Sequence, residues 1–352
     1  MKEREVKLAR RDWLKFGAMA GASLLLGVGN AAGASGRASG ADPAESQQKW
    51  GNGVDPGQTL PPEARNGPWR NLRAVKEKKV FDVHCHAWGP LSGHREWQDN
   101  TNELIAAMDS YGIAQAAMNP SHGAYETIVE RDVVPHLDRF IRVTGLPTIA
   151  TNGKQLTPDI VVEQCTAALE RDGCKMVGES MGDALMSLQS RYSPSEMKPI
   201  MDVVRKYDVP VQTHTGWSAG ASHRNWPDYM GALLAAYPDV KFIMGHAGGP
   251  LASPDGWEAL RLLFSYKNAY VDTSTSPLEI ISEAVKGVGA ERVMFGSDFY
   301  HPELEEVGPF HLRAVYTHWW NLNNIANADL TEDQRDWILY KSARKLLKLP
   351  EA

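Results

Sequence analysis

Cysteine is scarce in this chain. Its 352 residues hold three, Cys85, Cys165 and Cys174, and these supply no disulfide framework. Their apolar settings suit small buried hydrophobes better than nucleophiles. Long apolar runs are lacking too. The run from Phe16 to Val28 is shorter than the roughly 20 residues a membrane span needs, which excludes stable membrane insertion. No block or stripe of basic residues offers a nucleic-acid surface. No Gly-x-Gly-x-x-Gly follows the first expected strand, which argues against a doubly wound dinucleotide-binding sheet. What remains is an ordinary soluble composition, 43% hydrophobic and 23% charged, on a chain long enough for one barrel of about 250 residues with extensions.

Residues 1–34 stand apart. Lys2, Arg4 and Lys7 lead into Arg10-Arg11-Asp12-Trp13-Leu14-Lys15; the apolar Gly/Ala-rich run follows, and then Ala31-Ala32-Gly33-Ala34. Basic, apolar and small, in that order, is the pattern of an export signal. The arginine pair resembles the twin-arginine type, which implies the twin-arginine export machinery as a partner and a periplasmic or extracellular location. Cleavage is expected between Ala31 and Ser39; removal of residues 1–34 would leave 31 basic against 40 acidic residues, a net charge of −9, repelling nucleic acid and anionic membranes. Residues 35–78 are rich in Gly, Pro, Ser, Asn and Gln. They read as a linker or an N-terminal arm that Trp50 and Trp69 could pin down.

From residue 79 to 352 short apolar runs alternate with amphipathic stretches. Strands are expected near 80–84, 115–118, 142–146, 174–178, 209–213, 241–245, 269–272 and 293–296. Helices are expected near 102–111, 125–137, 159–171, 195–207, 227–237, 254–265 and 278–288. Thr157 before Pro158 and Ser193 before Pro194 are helix start signals. Eight strands alternating with helices predict an α/β fold of parallel strands closed into a (β/α)₈ TIM barrel.

The strand ends carry the chemistry. Phe81-Asp82-Val83-His84-Cys85-His86 places two imidazoles on one face of the first strand, with Cys85 on the other. The fourth strand ends Val177-Gly178-Glu179-Ser180 and the fifth Gln212-Thr213-His214-Thr215-Gly216. The sixth ends Met244-Gly245-His246-Ala247-Gly248-Gly249, the seventh carries Tyr270-Val271-Asp272-Thr273-Ser274, and the eighth ends Phe295-Gly296-Ser297-Asp298. One such residue is commonly a solvated cap. Five further strands bringing His, Glu or Asp to the rim of the first point to an active site.

These motifs resemble the amidohydrolase superfamily. They are most similar to the group that holds aminocarboxymuconate-semialdehyde decarboxylase, resorcylate-type decarboxylases and several lactone hydrolases. The likeness covers residues 79–349. It implies that His84, His86, His214 and Asp298 bind a divalent metal, zinc first and manganese second. It also implies that His246 lies beside the activated water and that Asp298 accepts that water's proton. Three imidazoles and a carboxylate suit such an ion chemically. Glu179 resembles a carboxylate that bridges two metals in a related branch; one ion is favoured here, with Glu179 otherwise holding a histidine in its tautomer. The Asn-Ala pair that relatives often carry near the C-terminus is Ser342-Ala343 here, a difference bearing on a structural contact.

Recognition residues are expected on the loops. Trp88, Trp217 and Trp226 could stack a flat substrate or serve ordinary packing, and Arg224 could pair with its carboxylate or form a surface salt bridge. The expected substrate is a small molecule, and further copies of the chain are expected as partners. Metal-dependent hydrolysis of a small carboxylated lactone, ester or amide is the leading reading. Non-oxidative decarboxylation of an aromatic or muconate-like acid is the alternative. A binding protein that kept the barrel and lost activity is the third.

Overall fold

Hydrogen bonds between the first and last strands close the sheet. Val83 N–H donates to the Phe295 carbonyl at 2.9 Å, and Ser297 and Asp298 N–H both reach the His84 carbonyl at 3.2 and 2.8 Å. The structure is a computed structural model that describes residues 67–87, 98–120, 133–144, 157–178, 193–215, 226–248, 254–298 and 312–351. Glu179, Trp217, Arg224, Trp50, Trp88, residues 1–34 and most of the expected helix at 125–137 lie outside them.

Seven strands are described: β1 (Val80–Ala87), β2 (Ile113–Pro120), β3 (Phe140–Arg142), β4 (Val211–Thr213), β5 (Phe242–Met244), β6 (Ala269–Asp272) and β7 (Val293–Met294). All pair in parallel, in the orders β1-β2-β3 and β4-β5-β6-β7. The position expected for a fourth strand is a single bridge residue, Val177, paired with Thr144 on one side and Val211 on the other. That bridge joins the two sheets, so eight positions complete the (β/α)₈ circuit. Gly178 follows it because no side chain fits: a Cβ there would stand 2.1 Å from Asn119 Oδ1 and from Val143.

Between the strands run α2 (Gln98–Tyr111), α3 (Pro158–Asp172), α4 (Lys198–Tyr207), α5 (Trp226–Ala236), α6 (Pro254–Ser265) and α7 (Leu278–Val288). The capping signals act as expected. Thr157 accepts the Ile160 N–H and Pro158 opens α3, which ends on Gly173 at φ 64°. Ser193 and Pro194 open a 3₁₀ turn before α4, with the Glu196 carboxylate taking both the Ser193 N–H and its hydroxyl. Of the helix expected at 125–137, the described end is a 3₁₀ turn, Val134–His136, containing Pro135.

The N-terminal side of the barrel holds a 3₁₀ turn at Pro68–Asn71 and α1 (Arg73–Lys76). Trp69 is buried against Tyr111, ring centroids 5.0 Å apart. Beyond β7 lie α8 (Leu312–Asn327), α9 (Glu332–Asp336), a π-helical turn (Trp337–Lys341) and α10 (Ser342–Leu346). The widened turn leaves the Ile338 carbonyl to accept the Phe295 N–H at 2.8 Å. Ala343, Leu346 and Leu347 join Phe81, Val83, Ile141, Met176, Ile243 and Met294 in one apolar cluster. These barrel residues precede the polar residues that follow their strands, so α10 closes the end away from the polar rim. Each of these buried leucines contributes about 1.5–3 kcal/mol. Ser342 is indeed a structural contact, donating to the Ala290 carbonyl at 2.9 Å. Among the described residues no helix is long and apolar enough to cross a membrane.

Candidate metal centre and active site

The strand ends bring four of the expected side chains together. His84 and His86 come from β1, His246 from the turn after β5 and Asp298 from the segment after β7. All four are at most 5% exposed. The Nε2 atoms of His84 and His86 stand 3.0 Å apart. Asp298 Oδ1 lies 3.4 Å from His84 Nε2 and 3.2 Å from His86 Nε2. Tetrahedral ligands about 2.1 Å from a common ion stand about 3.4 Å from one another, so this triangle has the size of one face of a metal site.

A second observation agrees. Asp298 Oδ1 is buried and forms no hydrogen bond, although two imidazole nitrogens lie within 3.4 Å of it. Ligand atoms aimed at a common centre, rather than at each other, leave that signature. His84, His246 and Asp298 also offer ligand atoms within 4.8 Å of one another. The donor set, imidazoles with a carboxylate, fits a divalent cation such as zinc or manganese.

The other carboxylate oxygen faces elsewhere. Asp298 Oδ2 is 3.5 Å from His246 Nε2. His246 Nδ1 lies 3.2 Å from the Thr215 carbonyl, which can only accept, so the ring proton sits on Nδ1. Nε2 then presents a lone pair while the ring is neutral and donates only once it is protonated. Burial alone would push the Asp298 carboxyl upward. The imidazoles of His84, His246 and His86 outweigh it and hold the group well below the usual carboxylate range.

His214, the first residue after β4, is half-buried. Its ring meets that of His246 edge-on, centroids 4.4 Å apart, so β4, the fifth barrel position, delivers its histidine to the same rim. Two functional side chains are strained there. His246 has φ 56° and Asp298 φ 51°, a left-handed backbone that costs an L-residue about 1–2 kcal/mol.

Trp226, placed by the sequence on a loop and open to stacking or packing, instead opens α5 and packs in the main apolar core.

Two buried acids that the sequence reading left without a role hold this rim. Asp272 accepts from His84 Nδ1 at 2.9 Å and from the His246 N–H at 3.0 Å. Asp82 accepts the His84 N–H at 3.0 Å and the Ser297 N–H at 2.9 Å. The β1–β2 register shifts between Asp82 and Cys85. Asp82 reaches Ser297 and comes within 3.4 Å of His318 on α8. The available signal was an acid inside an otherwise apolar strand, two residues before the histidine.

The family model described as Amidohydrolase matches residues 81–349. The chain belongs to the amidohydrolase family. As an amidohydrolase it is an enzyme of metal-dependent type. Among solved structures it is similar to 4-oxalomesaconate hydratase from Rhodopseudomonas palustris, with 16% identity over 76% of this chain and 95% of that one and a TM-score of 0.53. It is also similar to 2,6-dihydroxybenzoate decarboxylase from Rhizobium, with 18% identity, 76% and 98% coverage and a TM-score of 0.50. A putative 2-pyrone-4,6-dicarboxylic acid hydrolase from Pseudomonas putida aligns at 16% identity, 77% and 97% coverage and a TM-score of 0.50. At these identities the likeness speaks for the shared fold. No curated protein sequence matches this amidohydrolase.

Proposed function

We propose that this protein is a metal-dependent hydrolase acting on a small carboxylated lactone, ester or amide. The observation that supports it is the division of labour on Asp298: Oδ1 turned to His84 and His86, Oδ2 turned to His246. His84, His86 and Asp298 would hold one divalent ion, with His214 completing the set and Glu179 in reserve as a further carboxylate. Zinc suits these donors first and manganese second. When bound, the ion supplies Lewis acidity, polarising a substrate oxygen and acidifying water.

The chain's own residues move the proton. Asp298 takes it from the attacking water and passes it to the leaving oxygen or nitrogen. His246, its Nδ1 proton held by Thr215, exchanges a proton with that side of the site through Nε2. Once protonated it stabilises the developing oxyanion. Arg224 would pair with the substrate carboxylate and Trp217 would stack on its flat face.

Decarboxylation is the second reading, because the same His246–Asp298 pair can deliver a proton to the carbon that loses carbon dioxide. A decarboxylase, a hydratase and a hydrolase stand among the proteins of similar fold. The resemblance to the decarboxylase and lactone-hydrolase branch supports both readings. Metal analysis of the purified protein, with a panel of lactones and aromatic acids, tests them. Acid release without carbon dioxide is expected. Carbon dioxide release would move the assignment to the decarboxylase, and a metal-free inert protein would overturn both.

Residues 1–34 are proposed to direct export by the twin-arginine route, on the strength of their basic, apolar and small order. Replacing Arg10 and Arg11 by lysine should hold the precursor in the cytoplasm. Unchanged export of that variant would overturn the assignment.

A further inference from the structure

We propose that Asp272 positions two of the site's histidines at once, fixing the tautomer of His84 and the backbone of His246, an inference that rests on the metal-dependent reading above. Asp272 ends β6 and has no exposed surface. Its Oδ2 lies 2.9 Å from His84 Nδ1 and 3.0 Å from Gln212 Nε2. Its Oδ1 takes the His246 N–H at 3.0 Å, the Ser274 N–H at 3.1 Å and the Ser274 hydroxyl at 2.5 Å. Five donors from four residues thus converge on one side chain.

An ionised carboxylate can only accept. The His246 and Ser274 N–H groups can only donate, and with the Ser274 hydroxyl they hold Asp272 Oδ1 as an acceptor. Acceptance by Asp272 therefore decides where its neighbours keep their hydrogens. Gln212 must turn its amide NH₂ toward Asp272. Its Oε1 then faces Asn119, which donates through Nδ2 at 3.1 Å. His84 must carry its proton on Nδ1, where Ser274 Oγ is a second neighbour at 3.5 Å. Nε2 is left with its lone pair directed to His86 and Asp298, the state a metal ligand requires.

The other oxygen works on the backbone. His246 sits at φ 56°, ψ 16°, a conformation its own sterics oppose, and its N–H is the group tied to Asp272 Oδ1. That turn aims Nδ1 at Thr215 and brings Nε2 to 3.5 Å from Asp298. One carboxylate on the seventh barrel strand thereby sets a ligand on the first strand and a proton-transfer group after the sixth.

An amide cannot substitute. In Asp272→Asn one of the two positions becomes an NH₂. On the Oδ2 side it meets His84 Nδ1–H and Gln212; on the Oδ1 side it meets the N–H groups of His246 and Ser274. A donor faces a donor either way.

The test uses the full chain, with Mn²⁺ or Zn²⁺ affinity measured by competition with a chelator and imidazole ¹⁵N NMR of the metal-free protein. Asp272→Asn should lose about 10–100-fold in metal affinity, and its His84 tautomer should shift from the Nδ1–H form of the parent. Ser342→Ala, which removes a buried hydrogen bond at the opposite end of the barrel, should stay within about twofold of the parent. If that control loses as much affinity as Asp272→Asn, metal binding follows stability alone and the inference fails. A parent that binds neither ion overturns the metal-dependent reading and this inference with it. A parent that binds while Asp272→Asn binds equally well overturns this inference alone. Should the variant not fold, the parent's spectrum still decides: His84 carrying its proton on Nε2 would contradict the assignment.

Discussion

Ser297 gives Asp82 two hydrogen bonds, one from its N–H at 2.9 Å and one from its hydroxyl at 2.5 Å. This pair clamps the first strand to the last, one residue before Asp298 and two before His84. Ser297→Ala keeps the backbone bond and deletes the hydroxyl. Removing a buried donor from a carboxylate costs about 1–3 kcal/mol, so a lower thermal midpoint is expected, together with weaker metal binding. An unchanged midpoint would show that the clamp carries no stability.

The triangle of His84, His86 and Asp298 predicts its own dismantling. His84→Ala or His86→Ala should give a protein with no bound metal by elemental analysis and no activity. Secondary structure should persist, because both side chains stand beyond the apolar cluster that α10 closes. His214→Ala tests the half-buried member of the group in the same way. Full occupancy in any of the three would remove that residue from the ligand set.

Much of this was legible from residue order. The eight strand positions fall where short apolar runs occur, and the histidines and Asp298 fall at their ends. The fourth position was legible only as a run, because Gly178 and the close approach of Asn119 reduce it to a bridge at Val177. Asp272 and Asp82 were legible as polar strand residues but not as anchors. Their partners lie 188 and 215 positions away, and no local pattern encodes such pairings. Trp226 stayed open between stacking and packing because an aromatic after a polar loop reads the same whether it stacks a ligand or starts a helix.

Asp298→Asn separates the two jobs of that side chain. The amide keeps the size and can turn a carbonyl oxygen toward His84 and His86, so metal binding should weaken but remain measurable. It cannot accept the proton, and kcat should fall about 10²–10⁴-fold, the usual share of a general acid–base group. KM should move far less. A metal-loaded Asn variant with near-parental kcat would transfer the base role to His246 or Glu179.

The cysteines should behave as buried hydrophobes. Burial pushes the Cys165 thiol from its ordinary 9.0 up to about 12 and raises Cys85 well above its usual range. At pH 8 a thiol with such a value is ionised to about one part in 10⁴. Native protein should therefore resist iodoacetamide at pH 8 and take up three labels once unfolded in urea, one for each buried cysteine. The sign of the pH effect follows. Between about 9 and about 12 the unfolded Cys165 thiol ionises and the folded one does not, so stability falls as pH rises through that window. Rapid labelling of the native protein would contradict the burial.

Gly296 is the last test, because it touches the site without supplying a functional atom. A Cβ at this position would stand 2.9 Å from the His84 Cβ and 3.1 Å from the Asp272 Cβ and Cγ. Both neighbours are buried and bonded to each other, so neither has room to retreat. Gly296→Ala should push His84 away from its partners and weaken metal binding about tenfold or more, the scale seen when support of a ligand is disturbed. Gly173→Ala is the counterpart: φ is +64° there, and nothing lies within 4 Å of the added carbon. It should lose about 1–2 kcal/mol of stability through the left-handed backbone, with metal affinity unchanged. Parental metal affinity in Gly296→Ala would mean that the His84–Asp272 pair tolerates displacement, and the close packing there would have no part in the site.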